Sequence, residues 1–358
     1  MLFLPMIQNK FKVIKIKPLY GTIRVPQKSY LKLKDWFSGT YQKNTEKYLN
    51  ETFGFRNFFI RLNNQIAFDL FKKAKANGVI VGKENYLYEE KYIKAYNGTD
   101  FVGEDSIADR MQKLKFIQDT LRRMNKSIFI VFAAGKASFY PEYIPDKYLL
   151  KKGPTNYETY LKYAQRMKIN YIDFNKYFID QKHSSKYLLY PKYGIHWSYY
   201  GSTIVADSII HYIEKLRNIE MNHLMCGEFK IEQSKDIDND IGDGMNLLVN
   251  LKGPTMAYPK VYFGTDSLKG KPSVLVISDS FYKEMYRYGI PSVFSNTHFW
   301  YYNKEVFSGS DVSDKETSQV DLREELKNHD VIMIMSTEAT LQKLGWGFVE
   351  NVYKLYHP

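Results

Sequence analysis

An α/β fold built on a mostly parallel sheet is what this sequence predicts, and three observations carry that expectation. Residues 127–134 (SIFIVFAA), 273–277 (SVLVI) and 331–335 (VIMIM) are short, nearly unbroken apolar runs. That is the pattern of strands covered on both faces. Segments with apolar residues at three- and four-residue spacing alternate with these runs, as helices between strands do. The length of 358 residues suits one large α/β core with additions. Helices on both faces of the sheet make a three-layer α/β/α sandwich, with ligand sites expected beyond the carboxyl ends of the strands.

The elements follow in chain order. Residues 1–6 (MLFLPM) are apolar, then Gln8, Asn9 and Lys10 interrupt. Six residues cannot span a bilayer, so the segment is either a buried strand or the last turn of a membrane anchor or signal. Lys10, Lys12, Lys15 and Lys17 follow, and a positive flank disfavours export. The chain ends at 356–358 (YHP) without a tail or retrieval signal. Residues 10–50 look irregular apart from a helix over 30–49. A helix over 55–75 shows Phe58, Phe59, Leu62, Ile66, Leu70 and Phe71 at helical spacing, ending at Asn77-Gly78. Short strands at 79–81 and 86–88 flank a turn at 82–85.

From residue 105 the pattern becomes αβ. Asp105 or Ser106 caps a helix with Ile107, Met111, Leu114, Ile117, Leu121 and Met124 on one face. After strand 127–134 come a helix over 157–167, a strand at 171–173 and a helix over 200–216. Beyond strand 273–277 the sequence predicts a weaker strand at 292–294, a helix at 322–327 and the last strand at 331–335. Residues 217–270 break the regularity and read as an insertion or cap. Within them Asp236, Asp238, Asp240 and Asp243 form an acidic turn, but no Glu stands at the twelfth position of a calcium loop, so it reads as a cleft-edge loop. The organisation is thus an N-terminal segment, 1–50, and a core, 51–358, with its insertion.

Composition narrows the partners. With 51 Lys plus Arg against 39 Asp plus Glu, the net charge of +12 fits an acidic surface or polyanion but does not make a nucleic-acid binder. A single cysteine, Cys226, excludes an intrachain disulfide and a thiolate-rich zinc site. Tyrosine is abundant, at 31 residues, which suits amphipathic surfaces at clefts and interfaces. No glycine-rich phosphate motif follows a core strand, which argues against nucleotide binding.

Strand 273–277 runs into Ser278-Asp279-Ser280-Phe281-Tyr282. A serine where a strand ends and a helix begins either caps the helix or acts as a nucleophile beside backbone N–H groups able to hold an oxyanion. His196, in Gly194-Ile195-His196-Trp197-Ser198, is the candidate base for Ser280, and His298 is its rival.

Together these segments resemble the SGNH-hydrolase-like proteins of the AlgX/AlgJ type, also called the DHHW family. Residues 50–56 with Leu62-Asn63 look like the family's entry helix, and 79–88 like its VIVGK hairpin. Residues 136–142 (KASFYPE) resemble the segment after its first core strand, 194–198 its D-x-H-W motif, 277–281 its G-D-S-F block and 330–338 its final strand. The resemblance implies an SGNH-hydrolase-like sandwich on the extracytoplasmic or periplasmic face of a bacterial envelope. It implies O-acetyl transfer to an exopolysaccharide, with Ser280 as nucleophile and His196 as base. A membrane-bound acyltransferase would supply the acetyl group, and no metal or organic cofactor is called for. Carbohydrate acetyl esterase and a non-catalytic polysaccharide-binding protein are the alternatives.

Two departures stand out. Ser278 replaces the glycine of the G-D-S block, and Gly194 stands where the family has the acid that orients the histidine. Losing that acid costs on the order of 10⁴ in rate when geometry is otherwise kept. Asp173, Asp279 or Glu338, each following a core strand, could replace it, or a backbone carbonyl could orient the ring. For the sugar, Lys136, Tyr282, Tyr286 and Arg287 are the candidate contacts, because phenols cover apolar C–H faces while their hydroxyls find partners.

Overall fold

The computed structural model describes residues 3–21, 26–309 and 312–357, so Met1, Leu2 and Pro358 of the two terminal segments read above lie outside the described residues. The chain forms two compact units, Met1–Val81 with Asp240–Lys252, and Gly82–Asn239 with Gly253–Pro358.

In the first unit come α1 (Phe3–Phe11), α2 (Leu33–Phe37), α3 (Thr40–Thr52), α4 (Arg56–Phe71) and β1 (Val79–Val81). The apolar start is a helix and not a strand: Phe3, Ile7 and Phe11 share helical spacing, which a run of six residues was too short to show. The helix expected over 30–49 is broken at Gly39, whose φ of 77° leaves the helical region, so α2 and α3 are separate. Helix α4 stops at Phe71, before Asn77-Gly78, because Lys72 already turns left-handed at φ 48°. The Arg61 guanidinium donates to Leu247 O at 2.9 Å and Pro18 O at 2.7 Å, and Asn64 to Met245 O at 2.9 Å. These bonds satisfy loop carbonyls and fasten the outlying segment to α4.

The second unit holds β2 (Leu87–Glu89), α5 (Glu90–Asn97), α6 (Glu104–Arg123), β3 (Ser127–Ala133), α7 (Lys136–Phe139), α8 (Asn156–Met167), β4 (Tyr171–Asp173), α9 (Phe174–Gln181), α10 (Tyr199–Arg217) and β5 (Leu224–Gln233). Next in the chain is α11 (Asp240–Gly244), which belongs to the first unit. The second unit resumes with β6 (Thr255–Phe263), β7 (Val274–Ser278), α12 (Ser280–Arg287), β8 (Thr297–Tyr301), β9 (Glu305–Phe307), β10 (Lys315–Glu316), α13 (Leu322–Asn328), β11 (Val331–Thr337) and α14 (Phe348–Tyr356).

Among the described residues, the main sheet has the order β10-β9-β8-β7-β11-β3-β4. Strands β8, β7, β11, β3 and β4 are parallel, and β9 and β10 extend the β8 edge antiparallel. Ile334 lies level with Ile130 on one side and Ile277 on the other, so the three apolar runs form the sheet's centre. One face packs Ile128, Ile130, Leu275, Ile277 and Ile332 against α6, α8 and α14. The opposite face meets α10, where Phe129 touches Tyr212 with ring centroids 5.0 Å apart. This is the three-layer α/β/α arrangement. Both faces are covered, and that is why the strands lack alternation.

The strand expected at 292–294 is a tight 3₁₀ turn over Ile290–Val293, with Pro291 at its start, and the strand follows at Thr297–Tyr301. Residues 217–270 hold the antiparallel ribbon β5–β6, which packs on α10. No helix among the described residues is long and apolar enough to cross a membrane.

Candidate active site

The junction of β7 and α12 places Ser280. Strand β7 is buried along its whole length, and Asp279 caps the helix that follows, accepting the Phe281 N–H at 3.1 Å. The second carboxylate oxygen of Asp279 accepts the Thr337 N–H at 3.1 Å and the Thr340 hydroxyl at 2.8 Å. One carboxylate thus staples the end of β7 to the end of β11 and leaves Ser280 as the first residue of α12. The helix forms because Phe281, Tyr282, Met285 and Tyr286 bury a single face.

The loop before α10 places His196. Ser198 caps α10, accepting the Gly201 N–H at 2.9 Å while its hydroxyl donates to Leu188 O at 2.7 Å. Trp197 is fully buried against Phe281, ring centroids 5.0 Å apart, and the His196 ring lies 4.8 Å from the same phenyl. Lys136, at the start of α7, donates to Lys192 O at 2.9 Å and Gly194 O at 2.5 Å. With its loop fixed from three sides, His196 sets Nε2 2.9 Å from Ser280 Oγ, and both residues are half-buried. An imidazole at that distance can take the hydroxyl proton. His298, the rival base, lies near the amino end of β8, level with Leu275, and hydrogen-bonds Glu325 at 2.7 Å, so it is at the wrong end of the sheet.

The three expected orienting acids are committed elsewhere. Asp279 is the staple just described. Asp173 caps α9 through the Lys176 N–H at 3.0 Å and accepts the Tyr157 hydroxyl. Glu338 accepts from Ser138 at 2.6 Å and from the Asn175 amide, and burial pushes its carboxyl up to about 7. None of the three meets His196. The geometry also explains Gly194: a Cβ there would collide with the Ile237 carbonyl oxygen and crowd the backbone of Asp238. The acidic turn begins where an aspartate side chain at 194 would have to lie.

The expected sugar contacts need correction. Lys136 is completely buried and spends its ammonium on the His196 loop, so it cannot meet a glycan. Tyr282 is completely buried against Phe299, and Tyr286 is nearly so, its hydroxyl accepting the Gly309 N–H. Apolar packing at helical spacing, and not sugar stacking, accounts for both tyrosines. Arg287 is exposed and pairs with Glu284 on its own helix at 2.6 Å. The Phe281 N–H is taken by Asp279, so the Ser280 N–H is the junction's donor for an oxyanion.

Sequence reading missed Tyr302. It follows β8, the neighbour of β7, in a left-handed turn at φ 52°, and its N–H donates to Ser278 O at 2.8 Å. Its phenol stands near the Ser280 side chain, and burial together with the charge of Asp279 holds its pKa above the ordinary value. The signal was its place beyond a strand's carboxyl end, but 297–301 had not been read as a strand.

Comparison with known proteins bears on the family and the fold. A family model described as an SGNH hydrolase-like domain, acetyltransferase AlgX, matches residues 79–263, which contain the His196 loop but stop short of Ser280. No curated protein matches the chain. The solved O-acetyltransferase domain of AlgJ from Pseudomonas putida is 11% identical, with a TM-score of 0.51 over 74% of this chain and 92% of that one. AlgX from Pseudomonas aeruginosa is 13% identical, with a TM-score of 0.45 over 76% and 67%. A DHHW family protein from Eubacterium siraeum is 11% identical, with a TM-score of 0.42 over 68% and 88%. At these identities the likeness is one of fold.

Proposed function

The chain belongs to the AlgX acetyltransferase family of SGNH hydrolase-like domains, and from that premise we propose that it transfers acetyl groups to hydroxyls of a polysaccharide through an acyl-serine. The observation that carries this reading is the 2.9 Å approach of His196 Nε2 to Ser280 Oγ at the carboxyl end of β7. His196 takes the Ser280 proton as Oγ attacks the acetyl carbonyl. The Ser280 N–H and the positive end of α12 hold the oxyanion. Collapse expels the donor's leaving group, which takes the proton from His196, and leaves acetyl-Ser280. A sugar hydroxyl then gives its proton to His196 and attacks the ester carbonyl, and as the C–Oγ bond breaks Ser280 Oγ takes that proton back from His196. The work belongs at the periplasmic or extracytoplasmic face of the envelope, where a membrane-bound acyltransferase supplies the acetyl group.

The acid that orients His196 is, on this reading, drawn from the start of the acidic turn, Asp236 or Asp238. Its first residues occupy the place of a side chain at 194, and wholly buried Asp238 accepts the Tyr199 N–H, three residues past His196, at 3.3 Å. Exchanging Asp236 and Asp238 for asparagine, one at a time, identifies it as the variant with the largest loss in kcat.

The test of the whole reading is an acetyl ester donor offered with glycan acceptors. Expected are a mass increase of one acetyl group on Ser280 and acetylated glycan that both vanish in Ser280→Ala. Ester loss without acetylated glycan makes the protein an esterase, and glycan binding with no adduct on Ser280 overturns the catalytic reading.

A further inference from the structure

Away from Ser280, the second unit carries a group of metal-ligating side chains. Asp207, His211 and Glu214 stand at i, i+4 and i+7 on α10, and so share one face of that helix. His223, immediately before β5, turns its ring onto that face, 4.2 Å from the ring of His211.

The hydrogen bonding leaves this group unfinished. Glu214 Oε1 lies 3.1 Å from His223 Nε2 and also accepts the Met221 N–H at 2.6 Å. A carboxylate only accepts, so the neutral ring carries its proton on Nε2 and keeps a bare lone pair on Nδ1. That Nδ1 faces Asp207 Oδ1 across 3.8 Å, and both atoms are buried without a hydrogen-bond partner. Two acceptors facing each other, too far apart for a hydrogen bond, are an electrostatic fault that a cation between them removes. Metal–ligand bonds of about 2.0–2.1 Å put two ligand atoms roughly 3.3–4 Å apart, which the 3.8 Å gap satisfies. His211 completes the set from the solvent side. Its Nδ1 donates to the Asp207 backbone carbonyl at 3.0 Å and lies 3.5 Å from the other Asp207 carboxylate oxygen, which leaves the lone pair of the neutral ring on Nε2, and one ligand atom from each of the three residues falls within 4.8 Å of the others.

We infer that Asp207, His211 and His223 form a binding site for a divalent transition-metal ion of the Zn²⁺ type, with Glu214 as the carboxylate that fixes the His223 tautomer. Two imidazoles and one carboxylate suit Zn²⁺ and its first-row neighbours better than the hard ions Ca²⁺ or Mg²⁺. The carboxylate–histidine–metal chain is the usual way a ligating imidazole is oriented. The other histidine cluster, His298, Glu325 and His329, is different: a 2.7 Å hydrogen bond joins His298 to the Glu325 carboxylate and leaves no room for an ion between them. The site's place suggests its work. His223 opens the ribbon β5–β6, and a two-stranded ribbon is marginal alone, so the ion clips its base to α10.

The experiment is calorimetric titration of tag-free, chelator-treated protein with Zn²⁺, repeated with Co²⁺ and followed by visible absorption. Expected are one ion per chain, a thermal midpoint raised by the metal, and affinity falling as pH drops through the histidine range. Asp207→Asn and His223→Ala remove binding, and Glu214→Gln weakens it by about 10- to 100-fold. His211→Ala, at an exposed position, weakens binding without touching the fold, and decides the matter if His223→Ala fails to fold. Absence of saturable one-to-one binding, or binding unchanged in Asp207→Asn and His211→Ala, overturns the inference. A protonated His223 lying between Glu214 and Asp207 would then be the occupant.

Discussion

Two polar groups sit side by side at the carboxyl edge of the sheet, and they use the same residue chemistry for opposite ends. Beyond β7, Ser280 and His196 are half-buried and joined by a 2.9 Å hydrogen bond. Beyond β11, next in the sheet, Glu338 is buried, and its hydrogen bonds to Ser138 and Asn175 tie the end of that strand to α7 and α9. Parallel strands end in backbone groups needing partners, so polar side chains collect at this edge whether or not they react. A strand-end position is therefore weak evidence for catalysis. The stronger evidence is a serine and a histidine in hydrogen-bond reach, both only half-buried. Asp279 and Glu338, read from sequence as possible members of the first group, belong to the staples.

The largest effect that sharpens this contrast is Ser280→Ala. It should lower acyl transfer by at least about 10³-fold, since losing the nucleophile of such a pair leaves only binding and oxyanion stabilisation. The thermal midpoint should hardly move, because the half-buried hydroxyl holds no other element in place. A midpoint that falls with the activity would put Ser280 among the staples and erase the distinction.

Lys136→Met breaks the contrast from the other side, because Lys136 is the staple that serves the reactive pair. Its ammonium donates to Lys192 O and Gly194 O, carbonyls of the loop that carries His196. Hydrogen bonds from a charged donor contribute about 1.5–3 kcal/mol each. The variant should lose roughly 3–6 kcal/mol of stability in denaturant unfolding, and kcat should fall while Ser280 remains in place. Full activity in a destabilised variant would show that the loop holds its geometry without this lysine.

The sequence made the sheet and the pairing of Ser280 with His196 legible for a physical reason. Runs such as 127–134 and 331–335 are apolar because both faces are buried, and that needs no knowledge of partners. Ser280 and His196 were found from local context: a strand end, a helix start and a resemblance carried by short motifs. What stayed hidden depends on long-range packing. Nothing near Lys136 in the chain shows that its ammonium is spent on residues 192 and 194. Nothing near Gly194 shows that residues 237 and 238 fill its missing side chain. Tyr282 and Tyr286 looked like a sugar surface because periodicity tells which residues share a face, but not which way that face points.

Glu338→Gln tests the buried group by pH. Burial holds the carboxyl at about 7 against an ordinary 4.5, so the folded chain binds the proton more tightly than the unfolded one. That contribution is fully present below about pH 4.5 and is lost as pH rises through about 7, amounting to some 3 kcal/mol at roughly 1.4 kcal/mol per unit. Glutamine is neutral throughout, keeps the size, and can still accept from Asn175. The variant should lack the wild type's loss of stability between pH 5 and 8, as read by denaturant midpoints across that range. Identical pH profiles would mean that the Glu338 charge is met in the fold, and that the group is less closed than its burial indicates.

The smallest effect falls on the residue that stands between the two groups. Tyr302 resembles a staple in its backbone, where its N–H donates to Ser278 O, and in its ring, which packs edge-on against Trp346 with centroids 5.3 Å apart. Its phenol stands near the Ser280 side chain and is kept neutral by burial. Tyr302→Phe keeps the ring and removes only the hydroxyl, so stability should stay within about 1 kcal/mol. If the phenol merely orients the ground-state Ser280 hydroxyl, losing one neutral hydrogen bond lowers kcat/KM about threefold to tenfold. If it donates to the charge that develops as Ser280 attacks, the loss should reach about 10²–10³ in kcat, as for an oxyanion donor. The size of this one change, measured with the same acetyl ester, therefore decides whether the phenol's work lies in holding Ser280 or in the reaction that Ser280 performs.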